Sequence, residues 1–149
     1  MEIHEAPPQI KPEKLADYLD VLSKSVFQSG ISWRVVEAKW DGTRAALRGF
    51  DPEELVRLTP DEVDALAADT RLIRNRKKIE ATIHNARTML ELEKEHGGFQ
   101  AYLRSHKDFD SLVKDLRKRF KFVGDMGAYH FLWVVSEPVP AWEVWKETH

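Results

Sequence analysis

Residues 110–135 read DSLVKDLRKRFKFVGDMGAYHFLWVV, and the spacing of side chains in this stretch decides the predicted fold. Apolar side chains recur at helical spacing in its first part, at Leu112, Val113, Leu116 and Phe120. Basic side chains cover most of the remaining circumference, at Lys114, Arg117, Lys118 and Arg119. This pattern predicts an amphipathic helix with a basic outer face.

A tight connection and a second helix follow. Residues 121–124 are too few for another element, and Gly124 allows either a positive φ or the close approach of another molecule to the backbone. Asp125 suits the N-cap of a second helix that runs through Tyr129 and Trp133. Such a helix-hairpin-helix unit can present free main-chain N–H groups to an anion, and the repeated anion that suits it is a nucleic-acid backbone.

The remaining chain is predicted to be helical as well. Residues 1–11 contain Pro7 and Pro8 without apolar periodicity, so we expect an N-terminal arm. Residues 12–149 are predicted to form a single helical domain, with the helix-hairpin-helix unit at about residues 110–135. No alternating strand pattern occurs, so the predicted fold is all-α, with about seven helices.

Local signals place these helices. Pro12 suits the first turn of a helix, and its buried stripe is predicted at Leu15, Leu19, Leu22 and Val26. Ser32 suits the N-cap of the next helix, and Asp41 with Gly42 predicts a turn. Asp51 and Thr59 are predicted to cap two short helices.

Later elements are predicted in the same way. A long helix is expected over residues 75–96, closed by glycines, and a shorter one over residues 99–103. Near the end of the chain the helical pattern dissolves after Val135, and Trp142 and Trp145 are expected to pack against the body.

Composition limits the classes of function. The 149 residues are 42% hydrophobic and 32% charged, which is typical of a folded globular domain. The net charge is −2, so any nucleic-acid binding has to depend on local basic clusters. The chain has no cysteine, which excludes disulfides and thiolate-ligated metal clusters.

Nothing in the sequence indicates a membrane protein. The N-terminus lacks the layout of a signal peptide, and the longest apolar run, residues 131–135, is far shorter than the roughly 20 residues that a span needs. We therefore expect a cytoplasmic protein, and we expect a monomer.

Two basic clusters are candidates for nucleic-acid contact. The first contributes Arg74, Arg76, Lys77 and Lys78. The second lies at the predicted hairpin, where the candidate phosphate-binding residues are Lys118, Lys121, Phe122, Val123 and Gly124. A solvated helix face is the alternative explanation for either cluster alone. If both face one phosphate track, the affinity for DNA should fall steeply with salt.

Three stretches together resemble a known family. They are RFKFVG followed by AYHFLWVV within residues 119–135, QSGISW at residues 28–33, and LIRNRKKIEATIHNAR at residues 72–87. They occur in the same order in the 3-methyladenine DNA glycosylase I family of the helix-hairpin-helix glycosylases. The resemblance covers most of residues 28–135 and implies double-stranded DNA, with alkylated bases, as the partner.

The resemblance also implies a site for a base flipped out of the duplex. Trp33 would line the base pocket, and Gly30 and Ile31 would plug the gap left in the duplex. Gln28 could reach a base edge, although a surface amide is an equally good explanation. An aromatic face suits this role because it stacks on nucleobases and attracts the positive charge of an N-alkylated purine.

This chain also departs from the family pattern. Ser25 stands where the family has a pocket glutamate that reads the base. The Tyr/His/Trp-rich N-terminal pocket segment and the Cys/His pairs for structural zinc are missing, so no metal and no cofactor are expected. The catalytic residue is unknown from the sequence, and Glu137 and Glu143 are the weak candidates for a substitute acid. His130 is best explained as a structural or surface histidine.

Three functions remain open at this point. The resemblance implies a base-excision glycosylase that hydrolyses the N-glycosidic bond of an alkylated purine such as 3-methyladenine. Ser25 and the missing pocket segment favour the alternative of a helix-hairpin-helix module that binds DNA or a lesion without catalysis. A helical interaction domain with another ligand is the third.

Overall fold

The computed structural model describes residues 8–148, where nine α-helices and one short 3₁₀ helix occur and no β-strand does. The α-helices are α1 Leu15–Gln28, α2 Trp33–Ala46, α3 Pro52–Leu55, α4 Pro60–Ala67, α5 Arg76–His96, α6 Phe99–Leu103, α7 Phe109–Arg119, α8 Asp125–Val134 and α9 Trp142–Trp145. The 3₁₀ helix, Arg48–Phe50, lies between α2 and α3. The all-α prediction is confirmed.

Most predicted helix caps are confirmed, because a cap depends on residues close in sequence. Ser32 accepts the N–H of Arg34, and Asp51 accepts that of Glu53. Thr59 forms the predicted capping box at the start of α4. Two further caps define α5, with Asn75 at its N-terminus and Gly97, at φ 76°, at its C-terminus.

The predicted start of α1 was slightly wrong. Pro12 precedes the helix, which begins at Leu15 because the carboxylate of Asp17 accepts the N–H groups of Glu13 and Lys14 at 2.9 and 3.2 Å. The predicted stripe of α1 is confirmed as an apolar face, and Leu19, Leu22 and Val26 are fully buried.

The predicted turn at Asp41 and Gly42 was wrong, because α2 continues through both residues to Ala46. Gly42 serves a tertiary contact: a Cβ atom built there would lie 2.6 Å from the main-chain oxygen of Arg71. Only glycine allows this backbone to approach α2 so closely.

The core is organised around α1, which packs against α2, α5 and α8. Trp40 of α2 stacks on Phe50 with ring centroids 5.2 Å apart, and its Nε1 donates to Asp20 of α1 at 2.9 Å. Asp20 also accepts from Arg44 at 2.6 Å, so one carboxylate of α1 fixes two side chains of α2. The orientation of α2 relative to α1 is thereby set.

The two ends of the described chain meet near α8. Trp142 and Trp145 are buried, as predicted, and Tyr129 of α8 donates its hydroxyl to the oxygen of Pro140 at 2.6 Å. Within the predicted arm, residues 1–7 lie outside the described residues. Ile10 is not free, because its N–H donates to the oxygen of Val134 at 2.7 Å. Within residues 8–148, no helix is long and apolar enough to span a membrane.

We expect Gly42→Ala to lower the free energy of unfolding by up to about 2 kcal/mol. The added methyl meets the Arg71 oxygen, and overpacking of about 1–3 kcal/mol outweighs the gain in helix propensity of about 1 kcal/mol. Urea denaturation would measure the change. The control is Ala38→Gly on the exposed face of α2, which should lose about 1 kcal/mol through propensity alone. A stabilised Gly42→Ala protein would contradict the contact.

Candidate functional site

The first feature of the site is a lysine inside the protein. Lys78 of α5 is only 5% exposed, and its ammonium donates to the main-chain oxygen of Phe27 at 3.1 Å and to that of Ser29. The expectation that Lys78 faces DNA is therefore corrected. The reason is that α1 ends at Gln28, where unsatisfied carbonyls and the negative end of the helix dipole attract a cation.

The second feature is an asparagine further along the same stripe of α5. Asn85 accepts the N–H of Lys121 at 2.9 Å and donates to the oxygen of Lys121 at 3.2 Å. At about 1.5 Å per residue, Lys78 and Asn85 lie about 10 Å apart along the axis, and nearly two full turns separate them. They therefore project from one side of α5, and they hold two loops on that side.

The first loop is the α1–α2 corner, defined as residues 28–33. Gly30 has φ 75° and is exposed, and no atom lies within 4 Å of the position of a Cβ atom there. The N–H of Ile31 donates to the oxygen of Gln28 at 3.1 Å, while the Ile31 side chain packs partly on the core. Trp33 is 61% exposed, which is unusual for a large aromatic residue. The corner thus presents a glycine, an aliphatic side chain and an indole to solvent.

The second loop is the hairpin, defined as residues 120–124 between α7 and α8. Phe122, not Gly124, has the positive φ, at 60°, and its side chain is 46% exposed. Val123 is buried and anchors the loop. Gly124 is the N-cap of α8 and Asp125 its first residue, which corrects the predicted cap by one position. A Cβ atom at Gly124 would meet nothing within 4 Å, so the approach to this backbone is open.

Free main-chain donors are concentrated at the hairpin. In the part of the chain that the structure describes, the N–H groups of residues 124–127 have no acceptor. The carboxylate of Asp125 does not cap them, because it accepts from Arg117 at 2.9 Å. Free N–H groups at a helix N-terminus bind anions such as phosphate. Lys118 and Lys121 are exposed beside them.

The exposed basic side chains differ in whether they form an ion pair. Arg76 pairs with Asp64, as Arg117 pairs with Asp125, so both guanidinium groups are partly neutralised. Four predicted DNA-facing bases are exposed and have no ion pair within residues 8–148: Arg74, Lys77, Lys118 and Lys121. These four are available for phosphate.

Ser25 lies at the contact between α1 and α8. Its Oγ would be 2.5 Å from a Cβ atom at Gly127, so the missing side chain of Gly127 allows the two helices to approach. One and two turns further along α8, Nε2 of His130 and Nε1 of Trp133 respectively are buried and have no hydrogen-bond partner among the described residues. Buried nitrogen atoms without partners are rare in folded proteins.

The acids that were predicted as catalytic candidates are both ion-paired. Glu137 is buried and accepts from Arg104 at 3.1 Å and from Gln100 at 3.3 Å. Glu143 is exposed and pairs with Lys146 at 2.7 Å. The charge of the buried Glu137 carboxylate is already compensated by Arg104, which argues against catalysis by Glu137.

Sequence reasoning missed two residues of this region and misplaced a third. One is Glu37, a single turn after Trp33 on α2, which pairs with Lys24 of α1. The spacing of four residues from Trp33 could have indicated it. Nothing local indicated the contacts of Asn85 or the burial of Lys78, because their partners lie far away in sequence. Among the described residues, no group of three or more His, Asp or Glu side chains could hold a metal ion.

Comparison with known proteins agrees with this geometry. The family described as methyladenine glycosylase matches residues 13–114. Over 126 residues the chain is 31% identical to DNA-3-methyladenine glycosylase of Haemophilus influenzae, covering 70% of this chain and 68% of the relative. It is 32% identical over 126 residues to DNA-3-methyladenine glycosylase 1 of Escherichia coli, covering 70% and 67%. A crystal structure of 3-methyladenine DNA glycosylase I superposes with a TM-score of 0.71 at 28% identity, covering 85% of this chain and 81% of that one.

The electrostatics of His130 give a prediction for pH. Burial lowers the pKa of His130, so its imidazole is neutral in the folded protein at neutral pH. The unfolded chain binds the proton near pH 6.5, so stability is lost as the pH falls through that value. We expect the free energy of unfolding to fall between about pH 7.5 and 5.5 in the wild type, and to fall less in His130→Gln. If urea denaturation shows that the free energy of unfolding decreases equally in the wild type and in His130→Gln, the imidazole of His130 is not buried in its neutral form.

Proposed function

Because this chain belongs to the methyladenine glycosylase family, we propose that it is a base-excision DNA glycosylase that hydrolyses the N-glycosidic bond of an alkylated purine. The observation that carries the proposal is the exposed indole of Trp33, held beside Gly30 and Ile31 on the side of α5 that also holds the hairpin. A base that leaves the duplex needs both an aromatic surface and a fixed backbone. This arrangement offers both.

In this proposal the hairpin binds the phosphate backbone of the DNA. The free N–H groups of residues 124–127 and the ammonium groups of Lys118 and Lys121 bind phosphates of one strand, and Arg74 and Lys77 extend the same track. On α5, the two residues that hold the loops lie about 10 Å apart along the helix axis, which corresponds to about three nucleotides at 3.4 Å per nucleotide of one strand. The phosphates that the hairpin binds and the flipped base can therefore belong to nucleotides that lie close together on one strand.

The α1–α2 corner extrudes and holds the base. Gly30 brings the backbone close to the duplex, and Ile31 fills the gap that the base leaves. Trp33 stacks on the extruded purine and attracts its positive charge. Gln28, which is partly buried behind the corner, offers an amide to the base edge.

The leaving group makes the hydrolysis possible without a strong acid. Alkylation at a ring nitrogen makes the purine cationic, so the bond to C1′ breaks through an oxocarbenium-like state and the base leaves as a neutral molecule. Water adds to C1′ and releases one proton. The protein then has to position and desolvate the base. In this proposal Ser25 of α1 and the neutral imidazole of His130 on α8 orient a base or a water molecule.

A second function is favoured by one observation, which is that Ser25 replaces the family glutamate while Glu137 is committed to Arg104. With no free acid at either position, a module that recognises DNA or a lesion without hydrolysis is the alternative. Both proposals keep the expectations of one helical domain over residues 12–149, a monomer, and a cytoplasmic location.

We expect purified wild-type protein to release free base from methylated duplex DNA, and Trp33→Ala to slow the release about tenfold or more. The loss reflects base stacking of about 1–3 kcal/mol. Chromatography of the released purines measures both rates. The matched control is Val35→Ala, which removes an exposed apolar side chain from the same helix and should leave the rate unchanged.

The other outcomes separate the two functions. Tighter binding to methylated than to unmethylated duplex, without release of base, would reject the enzyme and support the binding module. DNA binding that does not weaken with salt would contradict both proposals, because phosphate contacts release counterions.

A further inference from the structure

We propose that Lys78 is a positioning residue for base extrusion: its buried ammonium fixes the α1–α2 corner, so that Gly30 and Ile31 enter the duplex in one conformation. This inference rests on the proposed function. The buried ammonium of Lys78 contacts neither phosphate nor base in the proposed function, and this inference gives it a role.

The contacts of Lys78 lie where the corner begins. Its Nζ donates to the oxygen of Phe27 at 3.1 Å and to the oxygen of Ser29, which immediately precedes Gly30. Both bonds are charge-assisted, and the charge lies at the negative end of the α1 dipole. The ammonium therefore fixes the position of Ser29, the last residue before the exposed Gly30.

Other restraints on the corner are few: the N–H of Ser29 donates to the oxygen of Val26 at 3.3 Å, the Ile31 side chain packs partly on the core, and Ser32 caps α2. Gly30 meets no atom within 4 Å of a Cβ position, and the main-chain contact of Ile31 is one hydrogen bond of 3.1 Å to Gln28. A glycine at positive φ has many alternative conformations, so an unrestrained corner would sample them. The Lys78 contacts select one of them before DNA binds.

The backbone that carries this side chain is itself fixed. Asn75 caps α5 by accepting the N–H of Lys78 at 3.2 Å, and the hydroxyl of Thr82 donates to the Lys78 oxygen at 2.8 Å. Burial also lowers the pKa of Lys78, which agrees with an ammonium group shielded from water. The corner is thus attached to a rigid part of α5.

The adjacent residue provides a matched control. Lys77 precedes Lys78 on α5, is exposed, and has no ion pair within the described chain. If Lys77 contacts phosphate, its loss lowers the slope of log K against log salt by about 0.9, whereas loss of a buried lysine leaves that slope unchanged. One pair of neighbours therefore distinguishes a DNA-binding charge from a positioning charge.

The experiment uses the full chain and a methylated strand annealed either to its complement or to a strand that mismatches its adenines. A mismatched base is already partly unstacked, so its release depends less on the plug. For Lys78→Met we expect single-turnover release from the paired duplex to fall about tenfold or more, and release from the mismatched duplex to stay within about threefold of wild type. The salt slope should equal that of the wild type. For Lys77→Met we expect similar losses on both duplexes and a lower slope.

Equal losses of Lys78→Met on the two duplexes would show a merely structural role and overturn the proposal. A salt slope that falls as in Lys77→Met would overturn it as well. Activity on the mismatched duplex also reports that the variant is folded. If Lys78→Met does not fold, Lys78→Gln replaces it, because the amide retains N–H donors for one carbonyl. We expect Lys78→Gln to show the same preference for the mismatched duplex, with a smaller loss of activity on the paired duplex.

A second readout separates this inference from the proposed function. Full-length protein is bound to a duplex with an abasic-site analogue and 2-aminopurine opposite, whose fluorescence rises when an inserted side chain unstacks it. If wild-type protein releases no base but raises this fluorescence, and Lys78→Met at saturation raises it less, the glycosylase proposal fails and the positioning role stands. If the wild type releases base and Lys78→Met raises the fluorescence equally, the positioning role fails alone.

Discussion

The structure depends on a single stripe of α5 that fixes two loops from inside the protein. Lys78 holds the end of α1 through two carbonyls, and Asn85 holds the hairpin through both main-chain atoms of Lys121. Each contact satisfies backbone groups that a loop cannot pair within itself. Because one rigid helix carries both side chains, the separation and the relative direction of the loops are set before any ligand binds.

This constraint relates the candidate functional residues of the two loops to one another. Trp33 on its own is only an exposed aromatic residue, and free N–H groups at a helix N-terminus are common to all helices. Lys78 and Asn85 attach the two loops to one side of α5, and we propose that the loops form one surface on which phosphates and a flipped base bind.

Much of the fold could be predicted from the sequence, because its signals were local. Caps such as Asn75 and Thr59 and the stripe of α1 involve residues within one or two turns of each other, and the structure contains them. Gly42 misled the prediction, since a glycine after an aspartate indicates a turn in isolation but here permits contact with a distant carbonyl. Tertiary contact overrode local propensity at that position.

The candidate site was less accessible to sequence reasoning. The hairpin was predicted from its local sequence and the roles at the corner from the family resemblance, and the roles of the residues in both stay predictions. A run of bases without an acid looked like one exposed surface, yet Lys78 points inward while Lys77 points outward, because α1 happens to end beside only one of them. No rule based on charge patterns distinguishes those neighbours, since the distinction comes from an acceptor about fifty residues away.

The central claim is that the α1–α2 corner and the hairpin form one DNA-binding surface. Titration of the ¹⁵N-labelled 17.3 kDa protein with a duplex that carries an abasic-site analogue tests it directly, by following the amide resonances. We expect residues 29–33 and 122–126 to shift together with a single midpoint. Shifts confined to one of the two loops, or two separate midpoints, would contradict the claim.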